Sequence, residues 1–505
     1  MSARALLVLA GSSLAFACGG QTGQQLPPTG QILLYVTTDA PLPAAPGDPV
    51  DSNEPPALFD RLRVDVFAPG MSQACDGCSR EFELDRIRVR DGEASMGVVP
   101  RPGVSGYVAR ARLYRAISVK DGEPPTLSTI DVYAALPPVE REGISKVTVV
   151  LHVEDIGQPR GSLATPSNAQ PGEPDFSQIG NWPKARRVPC SGSARAGEAC
   201  VPGGAFWMGH PSCGVNFDGS DASVSRLVVL SPFYVGLHEV TVEDYRASGL
   251  AKLVSESSVD PMIGPVEFPP DPPAKDTLTP DNQNFFCDYS DQPFSSQNSR
   301  ENLALNCISW STADAFCKAQ GKKLPSEAEF EYVASGLRSE LYVWGQEEAR
   351  CGDSVWGRAG AAYYYPLVGD CRPDNGLGNY FTTFVGPPSA LAPGSGQLDR
   401  LALAEGEVLD LSGNLREWTR DYWNRSSEPC WRNQALLINP ECTGKSELDG
   451  ELRTVKGRSW AELPGTACAR VGVAPEGMSD PTLGGGHRDP IGPPGNGFRC
   501  VRSAL

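Results

Sequence analysis

The stretch CISWSTADAFCKAQGKKLPSEAEFEYVASG, residues 307–336, holds two helices in tandem and the break between them. Ser311 stands three residues before Asp314, a spacing that caps a helix, and Ala313, Phe316 and Cys317 give that helix an apolar face. GKKLP, residues 321–325, breaks it. Ser326 with Glu329 has capping-box spacing, Phe330 and Val333 face inward, and Gly336 is placed to end the second helix.

Around this pair the chain is rich in loops, with 46 prolines and 54 glycines among 505 residues. The longest loop, about 255–300, contains PPDPPAKD and has no periodic signal. Residues 156–185 are rich in Pro, Gly and Ser without periodicity, and read as a linker between domains. Before them, residues 31–155 alternate apolar and polar in short β-branched runs: QILLYVTT (31–38), RLRVDVFA (61–68), REFELDRIRVR (80–90), GYVARARLYRAI (106–117) and KVTVVLHVE (146–154). About seven strands at that spacing predict an all-β sandwich, and it contains no catalytic constellation. The net charge of −17 and the absence of any Lys/Arg cluster exclude a sequence-independent grip on nucleic acid.

The first twenty residues, MSARALLVLAGSSLAFACGG, set Arg4 before an apolar run, Ala5 to Ala15, too short to cross a bilayer. Ala17-Cys18-Gly19 resembles the lipobox of bacterial lipoproteins, with Ala15 and Phe16 departing from its usual residues. The resemblance implies a signal peptide at 1–17, lipid on Cys18 and a polar tether at 18–30. Such a protein is exported and anchored to a membrane of the cell envelope, and Gly19 is similar to the pattern sent to the outer membrane. The alternative is a plain signal peptide.

Five stretches lie in a fixed order beyond residue 200. They are VPGGAFWMG (201–209), SPFYVGLHEVTVEDYRA (231–247), the helix pair followed by YVWG (342–345), LDLSGNLREWTRDYW (409–423), and VKGRSW (455–460) with NGFRCVR (496–502). Together they resemble the formylglycine-generating enzyme, or sulfatase-modifying-factor, family over about three-fifths of the chain. The resemblance implies that 186–505 form an α+β, C-type-lectin-like domain with little regular secondary structure. Buried irregular backbone needs side-chain partners, so Asn414, Arg416, Glu417 and Trp418 also read as architectural.

In family members of known activity, the loop matching SGNLREW binds calcium. Position by position this implies the carbonyls of Ser412, Gly413 and Leu415 and the carboxylate of Glu417, oxygen donors that suit calcium. The competing assignment pairs Glu417 with an arginine inside the loop.

Known enzymes of the family oxidise a sulfatase cysteine to an aldehyde with oxygen and Cu(I) held by two thiolates. Here Ser459 matches the family serine, and the two copper positions fall on Glu462 and Ala467. Cys468 follows with no thiol four or five residues before it, so copper is not expected. Ser459 and Cys468 remain the candidate catalytic residues. The four histidines, His152, His210, His238 and His487, form no H-x-x-x-H.

Of 15 cysteines, 14 remain if Cys18 is lipidated, which allows seven disulfides. Cys75-x-x-Cys78 reads as a turn-closing bridge, and Cys190–Cys200, Cys351–Cys371 and Cys430–Cys442 are neighbours in sequence. The family pairing implies Cys317 with Cys500. A second family bridge implies a structural half-cystine at Cys468, with Cys307 as partner because Ala334 stands at the usual position. The expectation is an exported lipoprotein whose second domain binds a peptide, protein or glycan at Ser459, Trp460 and Glu462, where the family holds peptide. Trp460 reads equally as core. The rival readings are an active formylglycine-generating oxidase with displaced ligands and a structural component of the envelope.

Overall fold

The structure is a computed structural model. It describes residues 30–48, 54–101, 103–139, 143–213, 224–250, 288–289, 300–306, 308–347, 349–350, 352–356, 390–460, 466–473 and 495–504. The expected signal peptide, the tether up to residue 29, Cys18, Cys307, Cys351, Cys371, Glu462 and His487 lie outside the described residues.

The period-two runs become strands: β1 (Gln31–Thr38), β2 (Arg61–Phe67), β3 (Ser79–Glu83), β4 (Ser95–Val98), β5 (Val108–Tyr114), β6 (Ile130–Ala135) and β7 (Ile144–Leu151). In β2 the alternation is plain, with Leu62, Val64 and Val66 inside and Arg61 and Arg63 toward solvent. One run corrects the expectation. After β3, the residues Arg86–Arg90 form a short helix, α1, because the Asp85 side chain accepts the amides of Ile87 (2.9 Å) and Arg88 (2.8 Å).

The expected linker is also corrected. Its residues finish the first domain: β8 (Ser167–Asn168) pairs parallel with β6, and β9 (Gln170–Pro171) pairs antiparallel with β7. The resulting sheets run β3-β2-β5-β6-β8 and β4-β1-β7-β9, and their inner faces feed one apolar cluster. Trp182 joins that cluster, its indole N–H donating to Glu154 (3.0 Å). Strands of two residues carry no periodicity, so composition alone suggested loop.

The second domain contributes β10 (Glu198–Val201), β11 (Gly204–Met208), β12 (Arg226–Leu230), β13 (Phe233–Gly236) and α2 (Val242–Ala247). After them come α3 (Trp310–Ala319), α4 (Glu327–Ala334), β14 (Arg400–Leu403), β15 (Gly406–Leu409), β16 (Arg416–Tyr422) and β17 (Leu436–Ile438). The last elements are β18 (Arg453–Lys456), β19 (Arg470–Val473), β20 (Asn496–Gly497) and β21 (Val501–Ser503). Its small sheets are β10-β13-β21, β11-β12-β17, β14-β15 and β19-β18-β16-β20. Among the described residues, strands outnumber helices throughout.

The helix pair forms as expected, with one shift. The cap of α3 is Ser309, not Ser311; its hydroxyl accepts the Thr312 amide (3.3 Å). Trp310 fixes this start, because its indole N–H donates to the Thr419 carbonyl (2.7 Å). In α4 Ser326 and Glu329 form the capping box, but all eight residues are buried, the three glutamates included. Each glutamate has a cation: Glu327 with Arg470 (2.5 Å), Glu329 with Arg420 (2.5 Å) and Glu331 with Lys456 (2.6 Å).

The two domains share a core. Ala205, Trp207, Leu227 and Ala435 of the second join the cluster of the first. The Trp207 indole donates to the Leu58 carbonyl (2.8 Å) and meets Phe59 edge-on, while the Arg115 guanidinium lies over its ring.

Candidate functional site

Three motif segments meet in one sheet. β16 pairs with β18, setting Glu417 opposite Lys456, and with β20, setting Arg416 opposite Asn496 and Glu417 opposite Gly497. SGNLREW, VKGRSW and NGFRC therefore lie side by side. Gly497 is required there, since a Cβ would fall 2.4 Å from the Leu415 side chain and 3.0 Å from the Leu305 carbonyl.

The loop before β16 is held from inside by carboxylates. The amides of Leu411 (2.9 Å), Ser412 (2.9 Å) and Gly413 (3.1 Å) all donate to Asp399. Glu239 accepts the Leu415 amide (3.0 Å) and the Asn414 side-chain amide (2.5 Å). Glu417 accepts from Arg499 at 2.7 and 2.9 Å, and the same guanidinium donates to the carbonyls of Leu409 (2.8 Å) and Asp410 (2.9 Å). One buried guanidinium thus stands beside the buried carboxylates of Glu417, Glu239 and Asp410, with Asp399 next to Asp410 and Glu417. Burial is the first cause that raises them all: Glu239 stands well above the usual range, Asp410 is pushed up to about 7, and Asp399 and Glu417 are raised.

The expected calcium ligands Ser412, Gly413, Leu415 and Glu417 do lie on this one loop. As arranged they do not fit the ion. Their only carboxylate faces a guanidinium at 2.7 Å, and the Ser412 carbonyl accepts the Arg458 amide (3.2 Å). The arginine paired with Glu417 comes from the NGFRC segment, not from inside the loop.

Ser459 was expected to face a ligand, and Trp460 either to face it or to be core; both are fully buried. Trp460 packs with Ala304, Val355, Ala390 and Leu415, and its amide donates to the Asn414 carbonyl (2.7 Å). These two residues are core, because the turn after β18 folds back onto the loop before β16. Ala467, one of the family's copper positions, is buried and donates its amide to the Leu341 carbonyl (2.6 Å).

Cys468 is bonded to Cys213, which corrects the expected partner Cys307. The chain leaving β11 through His210 brings Cys213 to this place, and the Thr466 hydroxyl lies 3.2 and 3.1 Å from the two sulfurs. Sequence separation of 255 hid this pair; the only signal for it was a cysteine without an assigned neighbour. The bridges Cys75–Cys78, Cys190–Cys200, Cys317–Cys500 and Cys430–Cys442 are present as read.

The described histidines are occupied singly. His210 is buried, accepts the Ser212 amide (3.1 Å) on Nδ1, and is pushed down to about 4 by burial with Arg115 nearby. His238 Nδ1 donates to the Glu239 carbonyl (2.7 Å), and His152 meets Asp39 (3.2 Å). Among the described residues no group of three or more His, Cys, Asp or Glu side chains is arranged to hold a metal ion.

A family model described as the sulfatase-modifying factor enzyme 1-like domain matches residues 189–504. The chain belongs to that family. The formylglycine-generating enzyme of Thermomonospora curvata is 26% identical over 325 residues, covering 61% of this chain and 94% of that protein. The mouse protein named inactive C-alpha-formylglycine-generating enzyme 2 is 25% identical over 325 residues, covering 60% of this chain and 85% of its own. Among solved structures, Treponema denticola variable protein 1 is similar with a TM-score of 0.35 and 14% identity, over 60% of this chain and 94% of that one.

Proposed function

We propose that this protein is an exported lipoprotein whose sulfatase-modifying-factor domain binds a peptide, protein or glycan and does not act as a copper oxidase. The observation that carries this reading is the bridge between Cys468 and Cys213. It takes up the one thiol near the family's copper positions, which are otherwise Glu462 and Ala467. Soft Cu(I) needs a pair of thiolates, and a disulfide offers none. Relatives named as inactive formylglycine-generating enzymes stand beside relatives named as active ones, so the fold is compatible with either role.

With Ser459 and Trp460 inside, Glu462 is the residue of the expected contact set left to meet a ligand. Arg499, not calcium, supplies the positive charge behind the SGNLREW loop. The first domain, which we read as a β-sandwich, is held to a membrane by lipid on Cys18, and the outer membrane is the destination that Gly19 favours.

The test is copper and aldehyde together. The purified full chain is titrated with Cu(I) and incubated with oxygen and a sulfatase-motif peptide. The expected result is neither stoichiometric copper nor aldehyde. Copper bound one to one and lost on Cys468→Ser, with aldehyde formed, would establish the oxidase instead.

A further inference from the structure

The strand registers sort the loops of the first domain between two ends. β1 and β7 run parallel and start together, Gln31 opposite Ile144, while antiparallel β4 finishes at Val98 opposite Ile32. In the other sheet β2 finishes at Phe67 opposite Val108, where β5 starts, and Val108 lies opposite Ala135, where β6 finishes. The links 99–107 and 136–143 join these finishes to these starts, so all of them lie at one end. Leu58, Phe59 and Arg115 lie at the opposite end, against Trp207 of the second domain.

The free end carries exposed apolar side chains among charged ones, with Glu140, Arg141 and Glu142 in the sequence of the link 136–143. Met71 (57%), Val99 (63%), Val104 (39%) and Ile144 (41%) are all exposed there, four of the nine large apolar residues so exposed among the described residues. Ile144 is in register with Gln31 on one side, and Val99 continues β4 on the other, so the two flank the first residue of β1. Arg101, in the same loop as Val99, is exposed, and Lys146 follows Ile144 on the same face in a pair with Glu173. Asp76 in the turn beyond Met71 is one acid of this end, and the link 136–143 has Glu140 and Glu142 in its sequence.

This is also the end at which the chain enters. The Gly30 amide donates to the Gly143 carbonyl (2.9 Å), one residue before Ile144. Cys18 lies twelve residues earlier, and twelve extended residues reach at most about 40 Å. Apolar side chains gathered at loop tips, on a chain of net charge −17, mark a contact surface, and the course of the chain says what meets it.

We propose that this end of the first domain rests on a lipid surface. Met71, Val99, Val104 and Ile144 enter the headgroup layer, and the first domain holds the second away from it by roughly the 25 Å length of β1. The choice of lipid over other occupants rests on the lipoprotein reading above.

The test uses the mature chain, without residues 1–17 and carrying Cys18→Ser, so that neither an acyl chain nor the apolar run Ala5–Ala15 can bring it to a membrane. It is floated with vesicles of phosphatidylglycerol and phosphatidylethanolamine. The C18S chain is expected to float with them. Adding M71D, V99D and I144D should lower the floated fraction about tenfold or more, with an unchanged melting temperature because the three side chains are exposed. If the combined variant does not fold, Val99→Asp alone is read the same way, with a loss of about threefold. Equal flotation with and without the aspartates overturns the proposal, as does no flotation of C18S. A dimer in lipid-free solution that the aspartates abolish would overturn it in favour of a second copy. The intact mass of the exported wild-type chain reports the acyl group separately, so a failed anchor is told apart from a failed surface.

Discussion

Ile32, Leu34, Leu62, Val64 and Ile130 fill the interior of the first domain, while Glu239, Asp399, Glu417, Lys456 and Arg499 lie buried inside the second. The difference follows from where each backbone finds its partners. In the first domain the strands satisfy one another, so the space between the sheets can be almost wholly apolar. Its buried pair of Asp65 and Arg112 (2.9 Å) lies on the outer face of its sheet, the face that Arg61 and Arg63 share. The second domain threads long irregular segments through its interior, and their amides need acceptors. Asp399 takes three of them, Asp421 takes those of Glu327 (2.8 Å) and Cys442 (2.7 Å), and Glu428 takes that of Arg425 (2.7 Å). Other carboxylates buried in the same interior are met by cations, Glu417 by Arg499, Glu331 by Lys456, Glu327 by Arg470 and Glu329 by Arg420.

The largest effect should come from breaking that arrangement at its centre. Arg499→Met leaves Glu417 and two neighbouring carboxylates, Glu239 and Asp410, without their cation, and should cost about 3–5 kcal/mol in urea denaturation or prevent folding. Adding Glu417→Gln should recover part of the loss, because the stranded charge goes with it. Leu34→Ala in the first domain should cost a comparable 2–5 kcal/mol, roughly, by leaving a cavity, and no second substitution of a charged residue should rescue it. If Arg499→Met costs less than about 1 kcal/mol, the contrast between the two interiors is wrong.

This division also explains what could be read from the sequence. In β2 one face is buried and one is wet, so the burial pattern is written in the alternation itself. The capping box of α4 is equally local. What escaped the reading depends on partners far away in sequence: the cations of Glu327 and Glu331, the cap at Ser309 fixed by Trp310 on Thr419, and the bridge from Cys213 to Cys468. α1 escaped for the opposite reason, since one aspartate cap overrode a period-two run. Within the candidate site, the family serine and the missing thiols could be read from spacing, and Trp460 could be read as core, but the burial of Ser459 could not, because it needs the turn to fold back on the loop at Asn414.

The bridges sharpen the comparison at the next scale. Cys213–Cys468 closes a span of 255 residues in the irregular domain, whereas Cys75–Cys78 closes a span of three between two strands. Replacing Cys213 and Cys468 together by serine should cost about 2–5 kcal/mol, and replacing Cys75 and Cys78 distinctly less. Unreduced wild-type protein should show neither cysteine of the long bridge as a free thiol, while Cys468→Ser alone should expose one thiol, at Cys213. Free thiol at both positions of the wild type would remove the argument against a metal-binding pair.

A smaller effect should appear on titration. Asp421 is fully buried and pushed up to about 7, first by burial and then by Glu327 nearby. Its folded-state pKa lies above its unfolded value, so the folded protein holds this proton more tightly. The associated stability is complete below the unfolded pKa, near 3.8, and is lost as pH rises through about 7. Asp421→Asn should therefore flatten the fall in stability between about pH 4 and 7, by up to about 1.4 kcal/mol per pH unit at the steepest point. An unchanged pH profile would show that the amides of Glu327 and Cys442 keep Asp421 ionised throughout.

The smallest expected effect is that of calcium. A loop built like SGNLREW could close around a divalent ion only if its carboxylate were free, and Glu417 is held by Arg499 on both oxygens. Moving the guanidinium away would also release the carbonyls of Leu409 and Asp410 that it holds. The ion would have to replace all of these hydrogen bonds at once, in a core that already carries its own positive charge. Millimolar calcium or a chelator should shift the melting temperature by less than about 1 °C. A rise well beyond that, abolished by Glu417→Gln, would mean that Arg499 gives way and that the interior of the second domain depends on a bound ion.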